Sequence, residues 1–148
     1  MCYFNRCEIK QVHQLEYKDA IIAYKYMRIT KSGDFQSPVM KYITWFRRRL
    51  SAVRPPHPNS PVGIYAFRSK SGAKLESHVY PVVKVKLWGT VIEHKGRSRR
   101  YTYDKNARPG YRAQHAEIIE IVWCDKWYDR AVKTALKRYR ALVDGRES

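Results

Sequence analysis

The side chains best suited to acid–base chemistry in this chain form two near-neighbour pairs, Glu93 with His94 and His115 with Glu117. If their strands lie side by side, two imidazoles and two carboxylates meet near the strand ends. Such a group could move protons or hold a metal ion. The competing reading of His94 is a buried, hydrogen-bonded structural histidine. Glu93, His94 and His115 are therefore a polar core site, open between architecture and chemistry. No Ser or Cys sits in a nucleophile elbow, and no Gly-rich loop could cradle a phosphate. Cys2, Cys7 and Cys124 form no CxxC pair, and the Cys2–Cys7 spacing is wider than the usual zinc ligand pair. No catalytic residue, metal ligand or cofactor is assigned from the sequence.

Charge is the stronger signal. Thirty Lys and Arg face thirteen Asp and Glu, a net charge of +17 on 148 residues. Charge this lopsided repels itself in a folded chain and usually persists because something acidic neutralises it. Nucleic acid is the commonest such partner, since each neutralised phosphate releases counterions. The hydrophobic fraction of 44% and aromatic fraction of 14% argue for a folded domain rather than a basic tail. A chain of this length buries enough surface for one core, so residues 1–148 are read as a single domain. No apolar run is long enough to span a membrane, and no secretory leader is evident. With an odd cysteine count, this leads us to expect a reducing, cytoplasmic setting.

The cations fall in three groups. In the 125–143 segment, Asp125 is an acceptable N-cap and Gly145 follows the end. On a helix, Tyr128, Ala131, Val132, Ala135, Tyr139 and Leu142 share one face. Lys126, Arg130, Lys133, Lys137 and Arg140 then lie within about 80° of one another on the other face, with no carboxylate on that stripe. The basic loop 95–110 and the start of the strand after it form the second group. Here Arg97, Arg99, Arg100, Arg108 and Arg112 are interleaved with Tyr101 and Tyr103, a pattern that combines phosphate neutralisation with base stacking. The alternative is a hairpin whose tyrosines cover a sheet. Arg47 and Arg48, beside Arg49, form the third.

The elements that must position these groups are mostly strands. Residues 20–29 are rich in Ile and Tyr, 63–67 form a short strand, and 82–93 alternate Val83, Val85 and Leu87 with Lys84 and Lys86. Gly89 interrupts that run as a bulge. Residues 117–123 alternate again. Ser-Gly-Asp at 32–34 is a turn, and 35–39 a short partner strand. The 42–53 stretch is ambiguous, with Trp45, Phe46, Leu50 and Val53 at helical spacing. Residues 54–61, with four prolines, are a stiff connector inside the domain. Residues 1–19 show no clear period and are read as an irregular or partly helical lead-in. The fold expected is α+β: a small curved antiparallel or mixed sheet, at the extreme a half-open barrel, with the C-terminal amphipathic basic helix packed on it.

Three segments together resemble an uncharacterised group of bacterial and phage proteins. They are Gly63-Ile64-Tyr65-Ala66-Phe67, the stretch from Leu87-Trp88-Gly89-Thr90 through Val91-Ile92-Glu93-His94, and Gly110-Tyr111-Arg112-Ala113 with Ala116 following. The shared pattern is a GIYA strand, an (L)WGxVxEH strand and a GYRAxxA segment, covering roughly residues 60–122. It implies a common core and carries no activity to transfer. Here a basic stretch separates the second segment from the third, and insertions in surface loops often carry function. We therefore expect nucleic-acid binding, RNA or structured or single-stranded nucleic acid rather than a specific duplex site, in a bacterial or phage-infected cell. No helix-turn-helix or zinc finger is present. Two alternatives use the same charges: an interaction module or phage-type inhibitor that binds an acidic host protein, and a ribosome-associated structural subunit.

Overall fold

The structure is a computed structural model, and it describes residues 9–38, 44–45, 47–60, 62–77, 79–96 and 108–146. The expected α+β class holds: a mixed seven-stranded sheet, a second sheet of three short strands, and two helices. Two long strands organise it. β8 (Val82–His94) and β9 (Gly110–Trp123) pair antiparallel along nearly their whole length. The free edge of β8 takes β2 (Ile21–Tyr26) on its first half and β1 (Ile9–Leu15) on its second. The free edge of β9 takes β7 (Ile64–Phe67), β6 (Arg49–Ser51) and, in parallel, β10 (Val143–Asp144). A single bridge from Tyr24 of β2 to Phe67 of β7 closes four strands into a ring, which is the half-open barrel expected from the sequence. The segments 63–67, 87–94 and 110–113 fall on β7, the second half of β8 and the start of β9, which are neighbours in this ring.

The alternation in β8 sets the inner face. Val83, Val85 and Leu87 are fully buried, while Lys84 and Lys86 lie on the outer side. Gly89 then breaks the register. It adopts φ +78°, and a Cβ there would lie 2.6 Å from Gln114 Oε1. The same Gln114 oxygen accepts from the Thr90 N–H at 3.1 Å, so the bulge leaves no orphan donor there. The core joins this face to Phe35 of β4 (Phe35–Gln36), Trp45 of β5 (Thr44–Trp45), and Ile29 of β3 (Arg28–Ile29). These three short strands form the second sheet.

α2 (Asp129–Arg138) packs on the same core, but only Val132 and Ala135 of it are fully buried. At about 1.5–3 kcal/mol for a whole buried valine, that is modest docking. Polar contacts reinforce it. The Arg138 guanidinium lies 2.8 Å from Asp34 Oδ1 and donates to the Ser32 carbonyl at 3.2 Å. The Ser-Gly-Asp turn fits against the helix because Gly33, at φ +87°, would carry a Cβ only 3.1 Å from the Ala135 nitrogen.

The structure departs from or adds to the sequence reading at four places. Residues 9–15 form an edge strand rather than an irregular lead-in. Residues 44–51 contain β5 and β6 rather than a helix, because Trp45 pairs with Phe35 and Leu50 with Ala116. A polar helix, α1 (Lys70–Ser77), was not expected; the Ser69 hydroxyl caps it by accepting from the Gly72 N–H at 3.0 Å. The C-terminal helix is shorter than residues 125–143. A 3-10 turn over Lys126–Tyr128 leads into α2, which ends at Arg138 so that the chain can turn back to β9 as β10. Tyr139 and Leu142 reach the core from that turn, Tyr139 stacking on Phe35 with ring centroids 6.0 Å apart.

Candidate nucleic-acid interface

The C-terminal cations are where the sequence places them, on the surface. Asp125 caps the 3-10 turn by accepting from the Trp127 N–H at 3.0 Å. Lys126, Arg130, Lys133, Lys137 and Arg140 are all exposed, with Arg130, Lys133 and Lys137 on α2, Lys126 before it and Arg140 in the turn after it. The stripe does carry one carboxylate. Asp129 takes Lys133 at 3.2 Å and Arg146 at 2.8 Å, and the Arg146 bond above all holds its carboxyl below the ordinary range. Lys126, Arg130, Lys137 and Arg140 form no ion pair with another described residue. Between Lys126 and α2 stands Trp127, 86% exposed, the most exposed aromatic side chain among the described residues.

The second basic group divides. Arg97, Arg99, Arg100, Tyr101 and Tyr103 lie outside the described residues. Arg108 is committed to Glu76 of α1 at 3.0 Å. Arg112 is not an interface residue at all: it is 1% exposed. Its Nε donates to His94 Nε2 at 3.1 Å, and its Nη atoms donate to the carbonyls of His57 (3.0 Å), Val62 (3.0 Å) and Ser60. Tyr111 and Ala113 of β9 face the core, so alternation puts Arg112 on the other face of the strand, where the Pro-rich connector covers it and the guanidinium fork ties that connector to the sheet. Of the third group, Arg47 is exposed, whereas Arg48 is half-buried and donates to the Ile118 carbonyl at 3.0 Å.

The polar core site does not assemble. Glu93 and His94 are consecutive in β8 and so face opposite ways, and His115 lies opposite Trp88, beyond the Gly89 bulge. His94 joins Arg112, which makes it structural: a guanidinium can only donate, so the His94 nitrogen facing it carries no proton. Glu93 is bound instead by His13 (2.9 Å) and Lys10 (3.4 Å) of β1. Burial raises its carboxyl pKa, but these two partners more than offset that and hold it below the ordinary value. Among the described residues no three His, Cys, Asp or Glu side chains gather as a metal site.

Sequence reasoning missed a cluster on the outer face of β8 and β9. The Trp88 ring stacks on His115 (5.5 Å between centroids, 28°) and meets Tyr17 edge-on at 4.9 Å. The Arg49 guanidinium lies 4.7 Å from the Tyr17 centroid and 5.5 Å from that of Trp88, and Lys86 Nζ lies 5.0 Å from Tyr17. Extending the Lys84, Lys86 alternation by two residues reaches Trp88, but nothing local brings in Tyr17 or Arg49. Beneath them Glu117, 4% exposed, accepts from Tyr17 Oη at 2.6 Å and Arg49 Nε at 2.5 Å. Burial pushes the Glu117 carboxyl up, and Tyr17 and Arg49 pull it down further, leaving it below its ordinary 4.5. A folded-state pKa below the unfolded one contributes stability that is present above about pH 4.3 and fades as pH falls through the lower value. The urea midpoint should therefore stay level from neutral pH to about 5 and then decline, with a shallower acid decline in Glu117→Gln. Equal acid slopes for the two proteins would remove Glu117 from this account.

A groove of about 500 Å³ opens beside the Lys126 end of the basic segment. α1 contributes Lys70 and Lys74, the end of β9 Val122 and Trp123, and the C-terminal residues Asp144 and Arg146. Lys74 Nζ sits 5.0 Å from the Trp123 ring centroid. Arg146 bonds Asp144 at 2.9 Å and Asp129 at 2.8 Å, so the two carboxylates of the groove are already engaged. Among the described residues no helix is long and apolar enough to cross a membrane. No protein-family model, curated protein or solved structure matches the chain.

Proposed function

We propose that the protein binds nucleic acid, RNA or another single-stranded or structured form in preference to a specific duplex site, through residues 126–140. The observation that carries this reading is the exposure of Lys126, Arg130, Lys137 and Arg140 without ion-pair partners among the described residues, around a Trp127 side chain that is 86% exposed. Within α2, Arg130, Lys133 and Lys137 follow at spacings of three and four, which puts neighbouring Cβ atoms about 5–6 Å apart, inside the roughly 8 Å Debye length of physiological salt. They repel one another until an anion neutralises them. A polyphosphate strand does so along the whole stripe and gains counterion release as it binds. A large indole held in water is costly in a protein of no further purpose, whereas next to phosphate-binding cations it offers a face on which a base can stack.

The test is a fluorescence-anisotropy titration of single-stranded RNA, single-stranded DNA and duplex DNA against the wild-type protein and Trp127→Ala. Loss of one stacked base costs about 1–3 kcal/mol, so Trp127→Ala should weaken single-strand binding by about tenfold and leave duplex binding nearly unchanged. Duplex binding that is the tightest of the three and indifferent to Trp127 would overturn the single-strand preference. Absence of binding to all three would redirect the search to an acidic protein partner.

A further inference from the structure

We infer that the groove between α1 and the end of β9 binds a single nucleotide unit, with its phosphate on Lys70, Lys74 and Lys126 and its base against Trp123. This deepens the reading above and rests on it for the polymeric source of that unit. Three features of the groove support it. Its volume of about 500 Å³ falls among small-ligand sites, which occupy about 300–1,000 Å³. Its charge is directed. Arg146 is consumed by Asp144, Asp129 and Cys124 Sγ, so the carboxylates in the walls do not compete for the lysines. Lys70 and Lys126 form no ion pair with another described residue, and among the described residues the Lys74 ammonium meets only the ring of Trp123, at 5.0 Å.

The third feature is the pairing of that ring with that ammonium. A cation over an exposed aromatic face is held by about 0.5–1 kcal/mol, weakly enough to be drawn aside by a phosphate. Moving Lys74 onto the phosphate uncovers the indole face for a base, worth about 1–3 kcal/mol when stacked. Apolar Val122 lies beside it. Lys126 belongs to both this groove and the basic segment, so a strand lying on α2 can deliver one of its nucleotides here. A free mononucleotide presents the same phosphate and base, and the experiment separates the two sources.

AMP and adenosine are titrated into the protein with tryptophan fluorescence and calorimetric readouts, and fluorescent single-stranded RNA is titrated with and without AMP. The proteins are wild type, Lys70→Ala/Lys74→Ala, Trp123→Leu and Arg130→Glu/Lys137→Glu, each checked for an unchanged thermal transition. Lys70 and Lys74 are exposed, so their removal leaves the core intact. The expected result is that AMP binds and adenosine binds about tenfold or more weakly, since charge-assisted hydrogen bonds are lost. Lys70→Ala/Lys74→Ala and Trp123→Leu should each weaken AMP by a similar factor, while Arg130→Glu/Lys137→Glu leaves it nearly unchanged. Competition between RNA and AMP, with the RNA salt slope reduced by roughly 1.4 in Lys70→Ala/Lys74→Ala, assigns the unit to the strand. Simultaneous binding of both assigns it to the free nucleotide. Failure of AMP to bind, together with RNA affinity unchanged by Lys70→Ala/Lys74→Ala, would overturn the groove and leave the basic segment standing. Absence of RNA binding by the wild-type protein, with AMP still bound, would overturn the nucleic-acid reading and keep the groove.

Discussion

Replacing Arg112 with leucine is expected to destabilise the fold by about 3 kcal/mol, the largest single-residue effect outside the apolar core. The guanidinium is 1% exposed and serves four acceptors: His94 Nε2 and the carbonyls of His57, Ser60 and Val62. Leucine has similar bulk and no donor. The bond to His94 Nε2 would be lost at a buried site, at about 1–3 kcal/mol. The three carbonyls are only partly buried and can turn to water, so together they add about 1 kcal/mol. Most connector residues near 54–60 are exposed, and Arg112 is what joins them to the sheet. Lysine should recover only part of the loss, because one ammonium cannot reproduce a planar fork with acceptors on two sides. The denaturant midpoint should fall while the m-value stays constant. If stability were unchanged and RNA affinity lost, Arg112 would belong to the interface after all.

The second large effect concerns binding rather than folding. Arg130→Glu/Lys137→Glu should weaken single-stranded RNA by more than about tenfold near 0.15 M salt, with stability altered by less than about 0.5 kcal/mol. Both side chains are exposed, and neither forms an ion pair with a described residue, so the fold does not depend on them. Lys133 is the poorer choice because Asp129 already holds it at 3.2 Å. Reversal acts twice: it removes two phosphate contacts and adds two charges that repel the strand. An RNA affinity within twofold of wild type would show that binding, if present, runs elsewhere on the protein.

Local pattern made some of this legible. The inward Val83, Val85 and Leu87, the Gly89 bulge, the turn at Gly33 and the exposed cations of α2 follow from period, backbone freedom and amphipathicity, which neighbours in sequence determine. β1 was invisible because it is a largely exposed edge strand, with Ile9 36% and Val12 43% exposed, so alternation there carries no burial. Trp45 and Leu50 mimicked a helix, yet their partners, Phe35 and Ala116, come from distant strands. Arg112 reads as one more cation in a basic stretch, and only the pairing of β9 with β7 and β8, with the distant connector laid over that face, buries it beside His94. The groove and the Tyr17, Trp88 and Arg49 cluster were missed for the same reason. Each gathers side chains from strands or helices far apart in the chain.

The most direct test of the central claim is the salt dependence of single-stranded RNA binding, measured between about 50 and 200 mM for wild type and Arg130→Glu/Lys137→Glu. A steep linear fall of log affinity with log salt, made shallower by at least about 1.4 in the variant, is the predicted result. Binding that is absent, or whose salt slope is identical in the two proteins, would contradict it.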